Sequence, residues 1–218
     1  MRSMPTRIKL CGLTREEDIR AVAEIRPDFC GFVVDVPTSS RNVSPEHLVE
    51  LTGLLARLEA DAPAGTPRIQ RVGVFVNRPL GTVADIAAAA HLDFVQLHGN
   101  EDRPYIDALR AKLPKGTGII KAFRMGSAAN IRAIDESHAD LVLLDSGQGS
   151  GKAFDWTLAA RVSRPFLLAG GLGPDNVAEA IAAVRPWGVD MSSGIETDGL
   201  KDPKKMAAAV AAVRKEEA

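Results

Sequence analysis

The chain has 218 residues, with 27 Lys plus Arg against 28 Asp plus Glu and a formal net charge of −1. That balance argues against a polybasic nucleic-acid binder, and no apolar run approaches the ~20 residues of a membrane span. With 45% apolar and 25% charged residues, the composition is that of a soluble globular protein.

Cys11 and Cys30 are the only cysteines, and neither stands in a CxxC or Cys/His cluster. Neither a disulfide framework nor a structural zinc is expected. Residues 1–7 lack the long apolar core of a secretory signal, so a cytoplasmic location is expected.

In chain order, short β-branched runs alternate with Ala/Leu/Glu/Arg stretches of helical period. A strand is expected at 7–11, then a helix from about 15 to 25, with Thr14 as N-cap and Glu17 at the capping-box spacing. A second strand at 29–34 leads through a polar loop to Arg41. A helix at 45–58 follows, capped by Ser44 with Pro45 in its first position. Residues 60–67 read as a surface loop rather than a linker between domains. Strands at 71–76, 94–97, 119–123 and 141–144 come next, with helices at about 80–90, 104–112, 128–136 and 156–161. The last units are a strand at 166–169 with a helix at 174–184, and a strand at 188–191 with a helix at 203–215.

The strands are almost continuously apolar, as in parallel sheets covered on both faces. Alternation of β and α implies right-handed crossovers. Eight such units predict an α/β fold, a single-domain (β/α)8 TIM barrel over residues 1–218. The rival is an open doubly wound sheet, but no G-x-G-x-x-G follows the first strand.

In these barrels chemistry sits at the C-terminal strand ends. The polar residues there are Cys11, Arg41, Asn77, Gln96 with His98, Arg124, Asp145, Gly170-Gly171, and Asp190 with Ser192-Ser193-Gly194. Cys11 is either a small buried hydrophobe or a usable thiolate before Gly12 and a helix N-terminus. Asp145, after four apolar residues, is either a turn cap or a carboxylate on the barrel rim. A thiol and a carboxyl facing across the mouth suit proton transfer by one base and one acid.

Gly170-Gly171 and Ser192-Ser193-Gly194 follow strands seven and eight, where Gly-rich loops of such barrels hold phosphate through backbone N–H groups. Arg41 is a solvated cation or a fork for a carboxylate or phosphate. Gln96 and His98 alternate with Val95 and Leu97 and so point the same way; His98 is polar lining, a substrate contact or a satisfied core histidine. Asp190 bonds substrate or holds neighbouring loops. Residues 146–152 lack P-loop spacing and read as a substrate loop in which Lys152 helps a second anion. No paired His or carboxylate stands at ligand spacing, so no metal is expected. Cys30 reads as core, and His47, His91 and His138 as solvated.

Together these segments resemble the phosphoribosylanthranilate isomerase family of tryptophan biosynthesis, from Lys9 to about Lys201. They run in order as Lys9-Leu10-Cys11-Gly12-Leu13-Thr14, Gly31-Phe32-Val33 with Ser40-Arg41, Val72-Gly73-Val74-Phe75-Val76-Asn77, and Val95-Gln96-Leu97-His98-Gly99. Leu143-Leu144-Asp145, Gly149-Ser150-Gly151-Lys152, Ala169-Gly170-Gly171-Leu172 and Val189-Asp190-Met191-Ser192-Ser193-Gly194-Ile195-Glu196 complete the series.

The resemblance implies an Amadori rearrangement of N-(5-phosphoribosyl)anthranilate without metal or organic cofactor. It implies Asp145 as the acid that protonates the furanose ring oxygen and Cys11 as the base that removes the C2′ proton. Arg41 would lie near the anthranilate carboxylate, with Gln96, His98 and Asp190 at substrate-side positions. The implied partner is the small-molecule phosphosugar–anthranilate substrate, with no nucleic acid and no membrane. The helices carry ordinary charged faces, so a monomer is expected.

Two features depart from the family pattern. Asp35 in the second loop adds an acid near an anionic substrate and is expected to point away or to pair with a Lys or Arg. The 58–68 segment is longer and richer in Pro. One rival is a histidine-pathway isomerase of the same chemistry, against which stand Cys11 at the first strand and the dissimilar halves of the chain. The other is a barrel that binds phosphate ligands without converting them, against which stand Cys11 and Asp145 together.

Overall fold

The computed structural model describes residues 5–125, 130–145 and 159–215. Eight parallel strands form its centre: β1 (Arg7–Cys11), β2 (Phe29–Val34), β3 (Gln70–Phe75), β4 (Phe94–Leu97), β5 (Gly118–Arg124), β6 (Leu141–Asp145), β7 (Phe166–Ala169) and β8 (Gly188–Met191). Each pairs with the next, and β1 also pairs with β8, Lys9 opposite Asp190, so the sheet closes into a barrel. The open-sheet rival is thereby excluded. Around the barrel lie α1 (Glu16–Ile25), α2 (Pro45–Ala60), α3 (Leu80–Ala89), α4 (Arg103–Arg110), α5 (Asn130–Asp135), α6 (Val177–Val184) and α7 (Pro203–Lys215). The expected loop at 146–152 and the start of the expected helix at 156–161 lie outside the described residues.

Two small elements were not legible as strands. Asn42–Val43 lengthens the sheet beside the end of β2, and Glu196–Thr197 pairs with Leu200–Lys201 as a hairpin after β8. The hairpin carries Glu196 and Lys201 to the site.

The period of two along a strand divides the apolar residues into two layers. Phe29, Val72, Ile120, Ala122, Leu143, Leu167 and Ala169 form the cluster inside the barrel. Their neighbours Cys30, Ile119, Val142, Leu144 and Leu168 pack outward against the helices, in one cluster with Leu51, Leu55, Ile181 and Val210. Each fully buried side chain of this kind contributes about 1.5–3 kcal/mol. The same alternation carries the inward rows upward to Cys11, Gln96, Asp145 and Asp190, so the polar groups of the mouth extend the rows that fill the core.

The N-terminal face is held by three acids of the same design. Asp28, just before β2, accepts from Ile8 N of β1 at 2.9 Å. Asp93, just before β4, accepts from Arg71 N of β3 at 2.8 Å. Asp140, just before β6, accepts from Ile119 N of β5 at 2.7 Å. Each satisfies a backbone donor at a strand start that would otherwise be left without a partner.

The first helix starts one residue later than the spacing predicts. Its N-cap is Arg15, and Asp18 at the third helical position accepts from both Thr14 N and Arg15 N. Asp18 is 1% exposed and Glu17 is exposed, so the acid that faces inward closes the box. The second helix keeps its expected cap, with His47 N donating to Ser44 Oγ at 3.2 Å. His47 is not simply solvated: its ring also meets Thr14 O and Glu50.

Candidate active site

A cavity of about 360 Å³ opens at the C-terminal end of the barrel. Cys11, Gln96, Asp145 and Asp190 reach it from the strands, and Arg41 from the second loop. His98 follows β4, Gly170 and Gly171 follow β7, and Ser192 and Ser193 follow β8 on the same wall. Gly194 stands behind that wall, where its Cα lies against Gly173. Asn77 and Arg124 lie off this cavity. Asn77 Oδ1 instead accepts from Asn100 N at 2.7 Å, and Arg124 borders a neighbouring cleft with His98 and Asp145.

Cys11 is 7% exposed. Burial pushes its thiol above the ordinary range, and the nearby positive charge of Lys9 only partly opposes this. The group is therefore a neutral thiol around pH 7. Gly31 on the adjacent strand makes room for it, since a Cβ there would lie 2.7 Å from the sulfur.

Beneath Cys11, and on the same face of β1, lies Lys9, fully buried. Its Nζ donates to Asp190 Oδ1 at 2.9 Å. Burial disfavours the ammonium charge, but the Asp190 carboxylate outweighs it and holds the Lys9 pKa above its usual value. One oxygen of Asp190 is thus committed to Lys9. Of the two roles open to Asp190, meeting substrate or holding structure, this contact is the holding one.

Gln96 and His98 do point the same way. Gln96 Nε2 donates to His98 Nδ1 at 3.0 Å, which puts the ring proton on Nε2 in the neutral tautomer. His98 Nε2 lies 3.4 Å from Asp145 Oδ2. The chain Gln96–His98–Asp145 therefore ties the fourth strand end to the sixth. Gln96 is 1% exposed and its Oε1 has no hydrogen-bond partner among the described residues.

Arg41 is held from behind. Its Nε and Nη2 donate to the two oxygens of Glu196 at 2.6 and 2.7 Å. Lys201 Nζ meets the same carboxylate at 2.5 Å and donates to Ser192 O at 3.0 Å. Burial opposes the charge of Glu196, yet its bonds to Arg41 and Lys201 keep its pKa below the usual carboxylate value. Lys201 is lowered by burial despite Glu196. The hairpin after β8 is what brings both residues here. Asp35, the unexpected acid of this loop, pairs with Arg78, as its surroundings required.

The loops after β7 and β8 interlock. Gly170 and Gly171 take φ of 107 and 64 degrees, which side chains resist. A Cβ on Gly194 would lie 2.2 Å from Leu172 O, so these backbones meet without room for a methyl group. Ser193–Ile195 forms a short 3-10 turn beside them.

Lys9, Glu196 and Lys201 were missed as members of the site. Lys9 was within reach, since it shares a strand face with Cys11 two residues on. Glu101 was also missed: it is 7% exposed and accepts from Asn77 N, Gly99 N and Lys121 Nζ, which fixes the loop carrying His98. Among the described residues, no group of three or more His, Cys, Asp or Glu stands where it could hold a metal ion.

The family model described as N-(5'phosphoribosyl)anthranilate (PRA) isomerase matches residues 8–212. The N-(5'-phosphoribosyl)anthranilate isomerase of Acetivibrio thermocellus is 42% identical over 213 residues, covering 92% of this chain and 92% of its own. The solved phosphoribosyl anthranilate isomerase of Thermotoga maritima is similar with a TM-score of 0.79 at 34% identity, over 96% of this chain and 99% of the other. Another solved isomerase, in complex with reduced 1-(o-carboxyphenylamino)-1-deoxyribulose 5-phosphate, gives 0.78 at 32% identity over 96% and 99%. The chain belongs to the N-(5'-phosphoribosyl)anthranilate isomerase family and is an isomerase of tryptophan biosynthesis.

Proposed function

We propose that Cys11 and Asp145 carry out the Amadori rearrangement of N-(5-phosphoribosyl)anthranilate to 1-(o-carboxyphenylamino)-1-deoxyribulose 5-phosphate as base and acid. The observation that carries this reading is that both line one cavity of about 360 Å³ with the two Gly- and Ser-rich strand-end loops.

In the first step Asp145, as the carboxylic acid, gives its proton to the furanose ring oxygen. The C1′–O bond breaks, and the anilino nitrogen supplies the electrons for a protonated Schiff base. In the second step the Cys11 thiolate removes the C2′ proton, and those electrons flow toward the iminium to give an enolamine. Tautomerisation of the enolamine yields the ketone.

The thiol of the ligand-free cavity is neutral because it is buried. On substrate binding one proton moves from Cys11 to Asp145, so that thiolate plus carboxylic acid carry the same total as thiol plus carboxylate. The positive Schiff base formed in the first step then holds Cys11 as the thiolate until it takes the C2′ proton.

Gly170, Gly171, Ser192 and Ser193 hold the phosphate with Gly194 packed behind them, Arg41 the anthranilate carboxylate, and Gln96, His98 and the second oxygen of Asp190 the ribose side. No cofactor enters these steps. The same reading takes residues 1–218 as one barrel domain, a monomer in the cytoplasm, with this substrate as its partner. No helix among the described residues is long and apolar enough to cross a membrane. An isomerase from Thermotoga maritima is described as dimeric, and sedimentation equilibrium of this protein separates the two states.

The test is the loss of anthranilate fluorescence when purified protein meets phosphoribosylanthranilate in the presence of a chelator. The reading expects turnover unaffected by the chelator. Absence of turnover, or its dependence on added metal, contradicts it.

A further inference from the structure

A guanidinium offers two edges for paired hydrogen bonds, one through Nε and Nη2 and one through Nη1 and Nη2. Glu196 takes the first edge of Arg41, at 2.6 and 2.7 Å. Among the described residues none takes the second edge, and Arg41 stands on the cavity wall whereas Glu196 does not. The two side chains differ accordingly in exposure, 31% against 9%.

A buried carboxylate beside an anion-binding cavity would by itself repel the ligand. Here Lys201 meets the same carboxylate beside Arg41, with a side chain 2% exposed. Two cations on one carboxylate leave a net positive charge, and Arg41 presents it. The β1–α1 turn limits the stem of Arg41 as well. Gly12 has φ of +78 degrees, and a Cβ there would lie 2.5 Å from Arg41 Cδ. The backbone thus runs against the arginine where a side chain would displace it.

We propose that Glu196 is a positioning residue for substrate recognition, which holds Arg41 side-on so that the remaining guanidinium edge grips the anthranilate carboxylate. This rests on the reading of Arg41 as the partner of that carboxylate. Arginine has many rotamers, and ordering it before the ligand arrives moves the entropic cost from binding to folding. A free Arg41 would lose that advantage and with it the paired geometry of a fork on a carboxylate. Lys201 has the separate task of neutralising Glu196.

The test uses two ligands, reduced 1-(o-carboxyphenylamino)-1-deoxyribulose 5-phosphate and its phenylamino counterpart without the carboxyl group. Each is titrated by calorimetry into the wild type, Glu196→Gln, Glu196→Asp, Arg41→Ala and the double variant Arg41→Ala/Glu196→Gln. Glu196→Gln is expected to weaken the carboxylated ligand by about 10-fold and the other by less than about 2-fold. Glu196→Asp, still anionic but one methylene shorter, is expected to fall between wild type and Glu196→Gln. In Arg41→Ala the preference for the carboxylated ligand disappears, and adding Glu196→Gln changes it no further.

If Arg41→Ala keeps the preference, the reading of Arg41 fails and the proposal falls with it. If Arg41→Ala loses the preference while Glu196→Gln keeps it, Arg41 is confirmed and the positioning role is overturned. Equal weakening of both ligands by Glu196→Gln also overturns it, because that is the signature of a support acting through Lys201 and Ser192. Should Glu196→Gln fail to fold, an unchanged preference in Glu196→Asp overturns it and a reduced one supports it.

Discussion

Lys9 Nζ and Asp190 Oδ1 meet at 2.9 Å across the seam where β1 closes the barrel onto β8, with both side chains buried. The pair forms part of the floor beneath Cys11, so the junction that completes the fold also supports the cavity. Removing one partner leaves the other charge buried without compensation, which costs about 3–5 kcal/mol. Asp190→Asn is therefore expected to lower stability in urea unfolding by about that amount. The double variant Lys9→Met/Asp190→Asn is expected to recover part of the loss, because no charge then remains to be neutralised. A change below about 1 kcal/mol for Asp190→Asn would show that the pair does not support the seam.

The contact between the loops after β7 and β8 makes a second prediction. An added methyl at Gly194 would lie 2.2 Å from a backbone oxygen, which cannot rotate away. Overpacking of this kind costs about 1–3 kcal/mol, and the strain falls on the loops assigned to phosphate. Gly194→Ala is expected to weaken competitive inhibition by inorganic phosphate by about 10-fold, since about 1.4 kcal/mol corresponds to that factor. An unchanged inhibition constant would place the phosphate elsewhere.

Alkaline stability should report the buried thiols. Burial pushes the Cys30 thiol up to about 12, against about 8.5 for a free cysteine. Above about pH 8.5 the unfolded chain releases this proton while the folded chain keeps it. Stability is then full below that pH and falls as pH rises toward the folded value, by about 1.4 kcal/mol per pH unit for the one group. Urea midpoints between pH 8 and 11 should decline less steeply for Cys30→Ala than for the wild type, after allowance for its lower starting stability. Parallel slopes would contradict the buried, neutral state of Cys30.

The barrel was legible because its signal is local. β-branched runs, helix caps and strand-end polar residues are each read within a few positions, and the strands at 29–34, 94–97 and 166–169 match in both bounds. The strand at 141–144 came one residue short because Asp145, a carboxylate, still pairs in register with Ala169. The first helix cap slipped by one because Glu17 and Asp18 are adjacent acids, and which of them faces inward is decided by packing.

The supports of the candidate site were not legible. Arg41 and Glu196 are 155 positions apart, and Lys9 and Asp190 are 181 apart. No periodicity links such residues, and only closure of the barrel brings them together. Glu196 carries no local signal of its role, because the hairpin that turns it toward Arg41 consists of two-residue strands too short to show a pattern.

The central claim is that Cys11 and Asp145 act on protons rather than on binding. Its most direct test is turnover of phosphoribosylanthranilate by Cys11→Ser and Asp145→Asn, with the dissociation constant of the reduced product analogue measured on the same preparations. The account predicts a fall in kcat of about 10²–10⁴-fold for each variant, with the dissociation constant within about 3-fold of the wild type. Turnover near the wild-type rate in both variants, or a loss of ligand binding that matches the loss of turnover, would contradict it.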